Sequence, residues 1–366
     1  MSNPGSEIAV LPMMQGTLHV YVAFDWGDEI LLDRVQQIAS ASAHVLPRRR
    51  RTPQSFTYRP VPLLVALADV TVDLGELGTA EAAVRVAIFD FGAVSVSLHI
   101  PFRATPDVLL RFAGSLADTA PLVQKARATV QPLHQQLLPA IQAPLWQEDL
   151  SEEYVVFQFG PEVLAHAADS AWLAGMVRLE NGPLSADEIE EALRFRLSYR
   201  PDDLFVPDWA AAVLVDQDCD DTLHAIGVAN LQLLEFRHID NRLDESLLAA
   251  SRLIQPLSRS LLPFLRLHGR PLRVLGELKV EANGLFERTG NALKLVGDPY
   301  LARVYRLVAK RFHMETWIES IQRKLEVAEG VYQVVSDQAG SFRMELLEVL
   351  VVLLILIDII LAFVHR

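Results

Sequence analysis

The chain has 366 residues, of which 51% are hydrophobic, and it carries a formal net charge of −13 at pH 7. This length allows two domains that each bury a core, and the acidic balance makes nucleic acid an unlikely partner because phosphate binding needs clustered Lys and Arg. The single cysteine, Cys219, excludes an intrachain disulfide and a zinc site built from cysteines, which fits a reducing compartment. The N-terminal sequence resembles neither a secretory signal nor a transit peptide.

Strand patterns dominate the first 160 residues. Apolar and polar residues alternate over Thr17–Asp25, and helical spacing follows in ILLDRVQQIASASAHV. Val84–Phe91 and Ala93–Ile100 are separated only by Gly92, so we expect them to pair as an antiparallel hairpin. Helical patterns come next, and EEYVVFQF is typical of another strand. This order predicts an α+β fold, with helices on one face of an antiparallel sheet and a ferredoxin-like topology.

The patterns divide the chain into five predicted segments. After about Pro161 the apolar spacing becomes helical, and no proline occurs beyond Pro299. The segments are a disordered tail over 1–16, an α+β domain over 17–160, a mostly helical domain over 161–298, a coiled-coil stalk over 299–345 and a transmembrane helix over 346–364.

The predicted stalk carries a seam of apolar residues with alternating spacings of three and four. The seam residues are Ile318, Ile321, Leu325, Ala328, Tyr332, Val335 and Phe342. This heptad pattern must pack against another helix. The partner is either the same helix of a second copy, which predicts a homo-oligomer, or an earlier helix that folds back as a hairpin.

The segment Leu346–Val364 is nearly all apolar. As a helix it would be about 28 Å long, close to the thickness of a hydrocarbon core. The alternative is a buried helix of a soluble domain, but such a helix usually keeps one polar stripe, and this segment is apolar on every face. The segment therefore predicts a tail anchor in membrane lipid, with the N-terminal body in the cytoplasm and the bacterial inner membrane as the location.

Two acids mark this predicted membrane helix. Glu348 lies near its start and Asp358 lies deep within it. An aspartate in a bilayer costs on the order of 3 kcal/mol and usually faces another protein group. We therefore interpret Asp358 as a contact between helices rather than as part of an ion pathway.

The stretch from Glu348 to Asp358 resembles the C-terminal signature of the "required for meiotic nuclear division" family, in which an acid opens a span and a second acid follows ten residues later. IFDFGAVSVSL resembles the early strand pair of that family, although the Trp-Gly that usually follows is absent. NALKLVGDPYLARVYRL resembles its Leu and Asp-x-Pro segment. The resemblance covers roughly residues 80–366, and it implies a membrane-anchored, oligomeric protein without an assigned chemistry.

The basic run Arg48, Arg49, Arg50 and Arg51 stands against the acidic composition. Its Pro- and Ser-rich surroundings predict a loop, and a solvated loop is the first interpretation. A contact with an anionic lipid or with RNA is the alternative.

No other segment indicates a catalytic, cofactor-binding or metal-binding site. The acid cluster from Asp216 to Asp221 lacks the Gly and Glu of a calcium loop, so it predicts a strand-to-helix turn. The chain contains no P-loop, GxGxxG, HExxH or GxSxG motif, and His99 and His224 are among the histidines without suitably spaced partners.

The sequence alone therefore favours a structural protein rather than an enzyme. The first hypothesis is a tail-anchored scaffold or tether with a cytosolic α+β head, which oligomerises through its stalk and binds an unidentified protein partner. The alternative is a membrane-associated enzyme or ligand-binding module, with its site in the α+β head or at the domain junction. A pocket with convergent polar groups would favour the alternative.

Overall fold

The structure is a computed structural model. It describes residues 13–39, 44–45, 61–146, 150–254, 276–277, 279–280, 282–284, 286, 299–330, 333, 351–352, 354–357 and 361. The chain forms two compact units: unit 1 comprises Met1–Arg237 and Leu285–Glu315, and unit 2 comprises His238–Gly284 and Thr316–Arg366.

Secondary structure begins earlier than the sequence predicts, because the first strand already includes part of the predicted disordered tail. The strands are β1 Met14–Asp25, β2 Glu29–Ile30, β3 His44–Val45, β4 Leu63–Asp73, β5 Thr79–Ile88, β6 Ala93–Ala104, β7 Ile141–Gln142, β8 Ser151–Phe159, β9 Leu204–Pro207 and β10 Ala211–Val215. The helices are α1 Leu32–Ala39, α2 Pro106–Ser115, α3 Ala120–Leu137, α4 Leu164–Ala167, α5 Ser170–Arg178, α6 Ala186–Ala192, α7 Asp220–Ile254 and α8 Pro299–Arg311. A further helix occupies 314–330.

Unit 1 is built on an eight-stranded sheet in the order β3-β4-β5-β6-β1-β8-β10-β9. The pair β8 and β10 is parallel, and the other neighbouring strands are antiparallel. This architecture confirms the predicted α+β class. The ferredoxin-like prediction accounts for the four central strands β5, β6, β1 and β8, which follow the order strand, helix, two strands, helices, strand along the chain. The sheet extends beyond these four strands on both sides, and β9 and β10 continue it past residue 160.

The predicted hairpin is formed by β5 and β6, which pair from Ala83 opposite His99 to Ile88 opposite Val94. Its turn contains Gly92, whose φ of +92° is a conformation that favours glycine. A Cβ atom at this position would lie 1.6 Å from the backbone oxygen of Gly27. The turn therefore depends on a glycine both for its backbone conformation and for space.

The two faces of the sheet are covered differently. On β1 the alternate residues Leu18, Val20 and Val22 are fully buried in the main core, which also includes apolar residues of α2, α3 and α5. The opposite face, which we call the polar face, carries Thr17, His19 and Tyr21. There the first part of α7 packs against the sheet so closely that a Cβ atom on Gly227 would lie 3.1 Å from the ring of Tyr21.

Within unit 2, the helix at 314–330 is joined to α7 by charged and polar side chains. Lys324 Nζ lies 2.8 Å from Asp240 Oδ1 and 2.7 Å from Asp244 Oδ2, and Ser320 donates a hydrogen bond of 3.1 Å to Asp240. These contacts tie the helix to an earlier helix of the same chain.

The described part of the predicted seam is largely buried within the chain. Ile321, Leu325 and Ala328 are buried, and Ile318 is half-buried. This favours the hairpin alternative over a stalk that must pair with a second copy. The remaining seam residues, Tyr332, Val335 and Phe342, lie outside the described residues.

The structure contradicts the predicted transmembrane helix. Within 346–364 it describes helical residues only at 351–352, 354–357 and 361. Among all described residues, no helix is both long enough and apolar enough to cross a membrane. The predictions of a tail-anchored scaffold and of a single-pass membrane location are therefore wrong. A span needs a helix of about 20 predominantly apolar residues, and the described residues contain none.

Candidate functional site

A cleft of about 630 Å³ opens at one end of the central strands of unit 1. It lies where β1 begins and where β6 and β8 end, next to the turn that leads into α7. Its volume is in the range of small-molecule sites. The polar side chains that line it are those of Gln15, Thr17, Arg103, Gln158, Glu162 and Gln217.

The cleft contains one positive and one negative side chain. Arg103 and Glu162 are both exposed, and neither forms an ion pair or a side-chain hydrogen bond with any residue that the structure describes. The glutamate is held near Gly160, where a Cβ atom would lie 2.3 Å from its carboxylate. The cleft is thus lined by two opposite charges that form no ion pair with any described residue.

Gln158 connects the wall of this cleft to the polar face of the sheet. Its Nε2 donates a hydrogen bond of 3.0 Å to the backbone oxygen of Asp216. Since this bond fixes the orientation of the amide, Oε1 must face the other way, where it lies 3.1 Å from Nε2 of His19. The Gln158 side chain is therefore held at both ends.

A chain of hydrogen bonds continues from His19 along the polar face. Nδ1 of His19 lies 2.7 Å from Nδ1 of His99, and Nε2 of His99 lies 3.1 Å from Oγ of Ser97. The strand register explains these contacts, because His19 on β1 is directly opposite His99 on β6, and Ser97 is two residues before it on the same face. His19 is 5% exposed, whereas His99 and Ser97 are half-buried.

The protonation of the His19 ring follows from its burial and its contacts. Burial lowers the pKa of His19 from 6.5 to about 4, against the opposing effect of the hydrogen bond that His19 donates to Gln158, so the ring is neutral at pH 7. Its Nε2 donates to Gln158, so its Nδ1 accepts a proton from Nδ1 of His99. The Ser97 hydroxyl has two acceptors within reach, Nε2 of His99 at 3.1 Å and the backbone oxygen of Arg85 at 3.4 Å.

A second buried polar cluster ties α8 to the sheet of unit 1. The Asp208 side chain is fully buried, with its Oδ2 3.0 Å from Arg178 Nε and its Oδ1 3.6 Å from Arg311 Nη1. Burial raises the pKa of this carboxyl, although both guanidinium groups oppose the rise. Arg311 also donates to the backbone oxygens of Glu191 and Ala192. These contacts occupy the charged groups internally, so we assign this cluster to stability rather than to binding.

The site residues predicted from the sequence are not among the described residues of this region. Glu348, Asp358 and the basic run Arg48, Arg49, Arg50 and Arg51 lie outside the described residues. The acid cluster forms the predicted strand-to-helix turn, in which Asp216 accepts a hydrogen bond of 2.9 Å from the backbone N–H of Asp218. Among the described residues, no group of His, Cys, Asp and Glu side chains is arranged to hold a metal ion.

Sequence reasoning missed both the cleft and the histidine pair. A signal was present in the alternation of β1, where Thr17, His19 and Tyr21 are polar or amphipathic between apolar neighbours, and in β6, where Ser97 and His99 behave alike. Such alternation identifies a face of a strand, but it does not say which strands are neighbours.

Comparisons with known proteins support one family. A family model described as "Uncharacterized protein MJ0711, N-terminal domain" matches residues 15–222, a range that includes every residue lining the cleft. "Uncharacterized protein MJ0711" of Methanocaldococcus jannaschii is 27% identical over 192 residues, which are 52% of this chain and 58% of the relative. The alignment thus spans little more than half of that relative's length.

No solved structure matches the chain. The resemblance to the meiotic division family, the homo-oligomer and the unidentified protein partner stay predictions. The family model, however, matches more than half of the 366 residues. The chain therefore belongs to the family described as "Uncharacterized protein MJ0711, N-terminal domain".

Proposed function

We propose that unit 1 is a binding module for a small molecule that carries both a carboxylate and an ammonium group, such as an amino acid or a short derivative of one. The observation that carries this proposal is the pairing of Arg103 and Glu162, which line one cleft and are each without an ion-pair partner among the described residues. This proposal shares with the sequence-based alternative only a ligand site in the α+β head, and it includes no membrane association.

The side chains of the cleft fit the two ends of such a ligand. An arginine guanidinium binds a carboxylate through two parallel hydrogen bonds, and a glutamate carboxylate accepts hydrogen bonds from an ammonium group. Gln15 and Gln217 supply amide donors and acceptors on the same cleft. Because both charges are exposed, we expect specificity for the charge pattern and only moderate affinity.

The test is isothermal titration calorimetry of the full chain with a panel of amino acids. Each is compared with the amine that lacks its carboxylate and with the acid that lacks its ammonium group. We expect at least one amino acid to bind, and both of its truncated analogues to bind at least about tenfold more weakly, since each loses a charge-assisted hydrogen bond.

Two variants assign the ends of the ligand. Arg103→Met should weaken the amino acid at least about tenfold but leave the amine unchanged, and Glu162→Gln should weaken it without affecting the acid. Arg196→Met and Glu190→Gln are matched controls, because both side chains are exposed and lie outside the cleft. Absence of binding across the panel, or equal affinities for the variants and the controls, would refute the proposal.

A further inference from the structure

We propose that Ser97 is a nucleophile that attacks carboxylic esters bearing a negatively charged group, with His99 as its general base. This activity goes beyond the proposed binding function, because Ser97 lies on the polar face of β6 and not among the residues that line the cleft.

The first support is the contact between the serine and its base. The Ser97 hydroxyl lies 3.1 Å from Nε2 of His99, which is within the reach required for proton transfer. The two residues are separated by one position along β6, so their side chains leave the same face of the sheet. Both are half-buried, so the pair is shielded but still accessible from solvent.

The second support is the group that orients the base. Nδ1 of His99 donates to Nδ1 of His19, whose other nitrogen is held by Gln158. A nucleophile, a base and a third group that holds the base are the parts that recur in serine hydrolases. His19 is a positioning residue here, because it acts on the serine only through His99.

The third support is a cation on the same face. Arg85 on β5 is directly opposite Ser97, and its side chain is exposed. Residues that are directly opposite each other in an antiparallel pair lie on the same face of the sheet, so Arg85 shares the face of Ser97. An exposed guanidinium at this position is within reach of an anionic group on a substrate that is bound at Ser97.

The proposed reaction has two steps, acylation of Ser97 and hydrolysis of the acyl-serine. Oγ of Ser97 forms a bond to the ester carbon while its proton moves to Nε2 of His99. The bond to the alcohol oxygen then breaks, and the alcohol leaves with that proton, so that an acyl-serine remains. Water attacks this ester in the same way, which releases the acid and restores the serine. In both steps Arg85 holds the anionic group of the substrate and so keeps the ester carbon at Ser97.

The experiment measures labelling of the full chain by a fluorophosphonate, which forms a phosphorus–oxygen bond to an activated serine and releases fluoride. Mass spectrometry of the digested protein locates the label. We expect modification of Ser97, none in Ser97→Ala, and a rate at least about 100-fold lower in His99→Gln. Ser95→Ala, which changes a neighbouring serine on the same strand, should label within about twofold of the natural chain, the range expected for a residue outside the reaction.

Two variants of His19 separate positioning from folding. Asparagine can still accept the proton of His99 Nδ1, whereas leucine cannot, so we expect His19→Asn to label within about threefold of the natural rate and His19→Leu at least about tenfold more slowly. Thermal melting identifies unfolded variants. A folded chain without label on Ser97, or a His99→Gln variant that labels at the natural rate, would overturn the proposal. Amino-acid binding by Ser97→Ala should be unchanged, so the two proposals can fail separately.

Discussion

The guanidinium group of Arg311, at the end of α8, reaches the fully buried carboxylate of Asp208, with Nη1 3.6 Å from Oδ1. Arg178 approaches the same carboxylate from α5, with its Nε 3.0 Å from Oδ2. Tyr154 donates a hydrogen bond of 2.8 Å to the backbone oxygen of Asp208. One buried aspartate thus joins a strand of the sheet and two helices that are far apart in the sequence.

Removal of this carboxylate should destabilise unit 1 strongly. Asp208→Ala leaves Arg178 and Arg311 without their buried partner, and the loss of one member of a buried ion pair costs about 3–5 kcal/mol. The matched control is Glu76→Ala, which breaks an exposed ion pair: the side chain of Glu76 is 58% exposed and that of its partner Arg111 is 51% exposed. This control should cost at most about 1 kcal/mol. Urea denaturation measures the free energy of unfolding of both variants. Equal losses would show that the buried cluster stabilises the fold no more than an exposed ion pair does.

The buried ring of His19 should make stability depend on pH. Its pKa is about 4 in the folded chain and 6.5 ordinarily, so between these values the unfolded chain binds a proton that the folded chain does not. This difference contributes about 3 kcal/mol to the free energy of unfolding. The contribution is complete above pH 6.5 and is lost as the pH falls toward 4.

The measurement is the urea midpoint at pH 7.5 and at pH 4.5, conditions that bracket most of this window. His19→Asn cannot titrate, so its stability should fall less between the two conditions than that of the natural chain. His313→Asn, which replaces an exposed histidine, should show the natural fall. A His19→Asn variant with the full fall would contradict the assignment.

The hairpin turn should tolerate no side chain at Gly92. Gly92→Ala adds a Cβ that would lie 1.6 Å from the backbone oxygen of Gly27, in addition to the strain of a φ of +92°. Gly75→Ala has the strain alone, because its φ is +61° and nothing lies within 4 Å of the added atom. We expect a loss of about 1–2 kcal/mol at Gly75 and about 4 kcal/mol or more at Gly92. Thermal denaturation measures the loss of stability of each variant, and similar losses for the two would refute the steric argument.

The helix at 314–330 offers a test of packing within unit 2. Leu325→Asp places a charge at a buried position and should cost several kcal/mol, whereas Val327→Asp changes a residue that is 55% exposed and should cost about 0.5 kcal/mol or less. Hydrogen exchange of the backbone amides of this helix measures the difference in stability between the two variants. Light scattering should give the same mass for both variants, because the contacts of this helix lie within one chain; a lower mass for Leu325→Asp alone would instead indicate a second copy.

Local patterns in the sequence were sufficient for the individual elements near the start of the chain. The alternation over Thr17–Asp25 predicted β1, and the short gap at Gly92 predicted the hairpin of β5 and β6. These predictions succeeded because each depends only on residues that are close in the chain. The transmembrane prediction, which was drawn from the length and the apolar character of 346–364, is wrong, because no helix among the described residues is long and apolar enough to cross a membrane.

The sequence by itself determined the α+β class, the hairpin and the strand-to-helix turn after β10. Only the tertiary structure decided that β1 lies between β6 and β8, which brings His19 beside His99 and Gln158 and forms the cleft between Arg103 and Glu162. The physical reason is that a side-chain pattern fixes which face of a strand a residue occupies, whereas the neighbours on that face are set by pairing between distant strands.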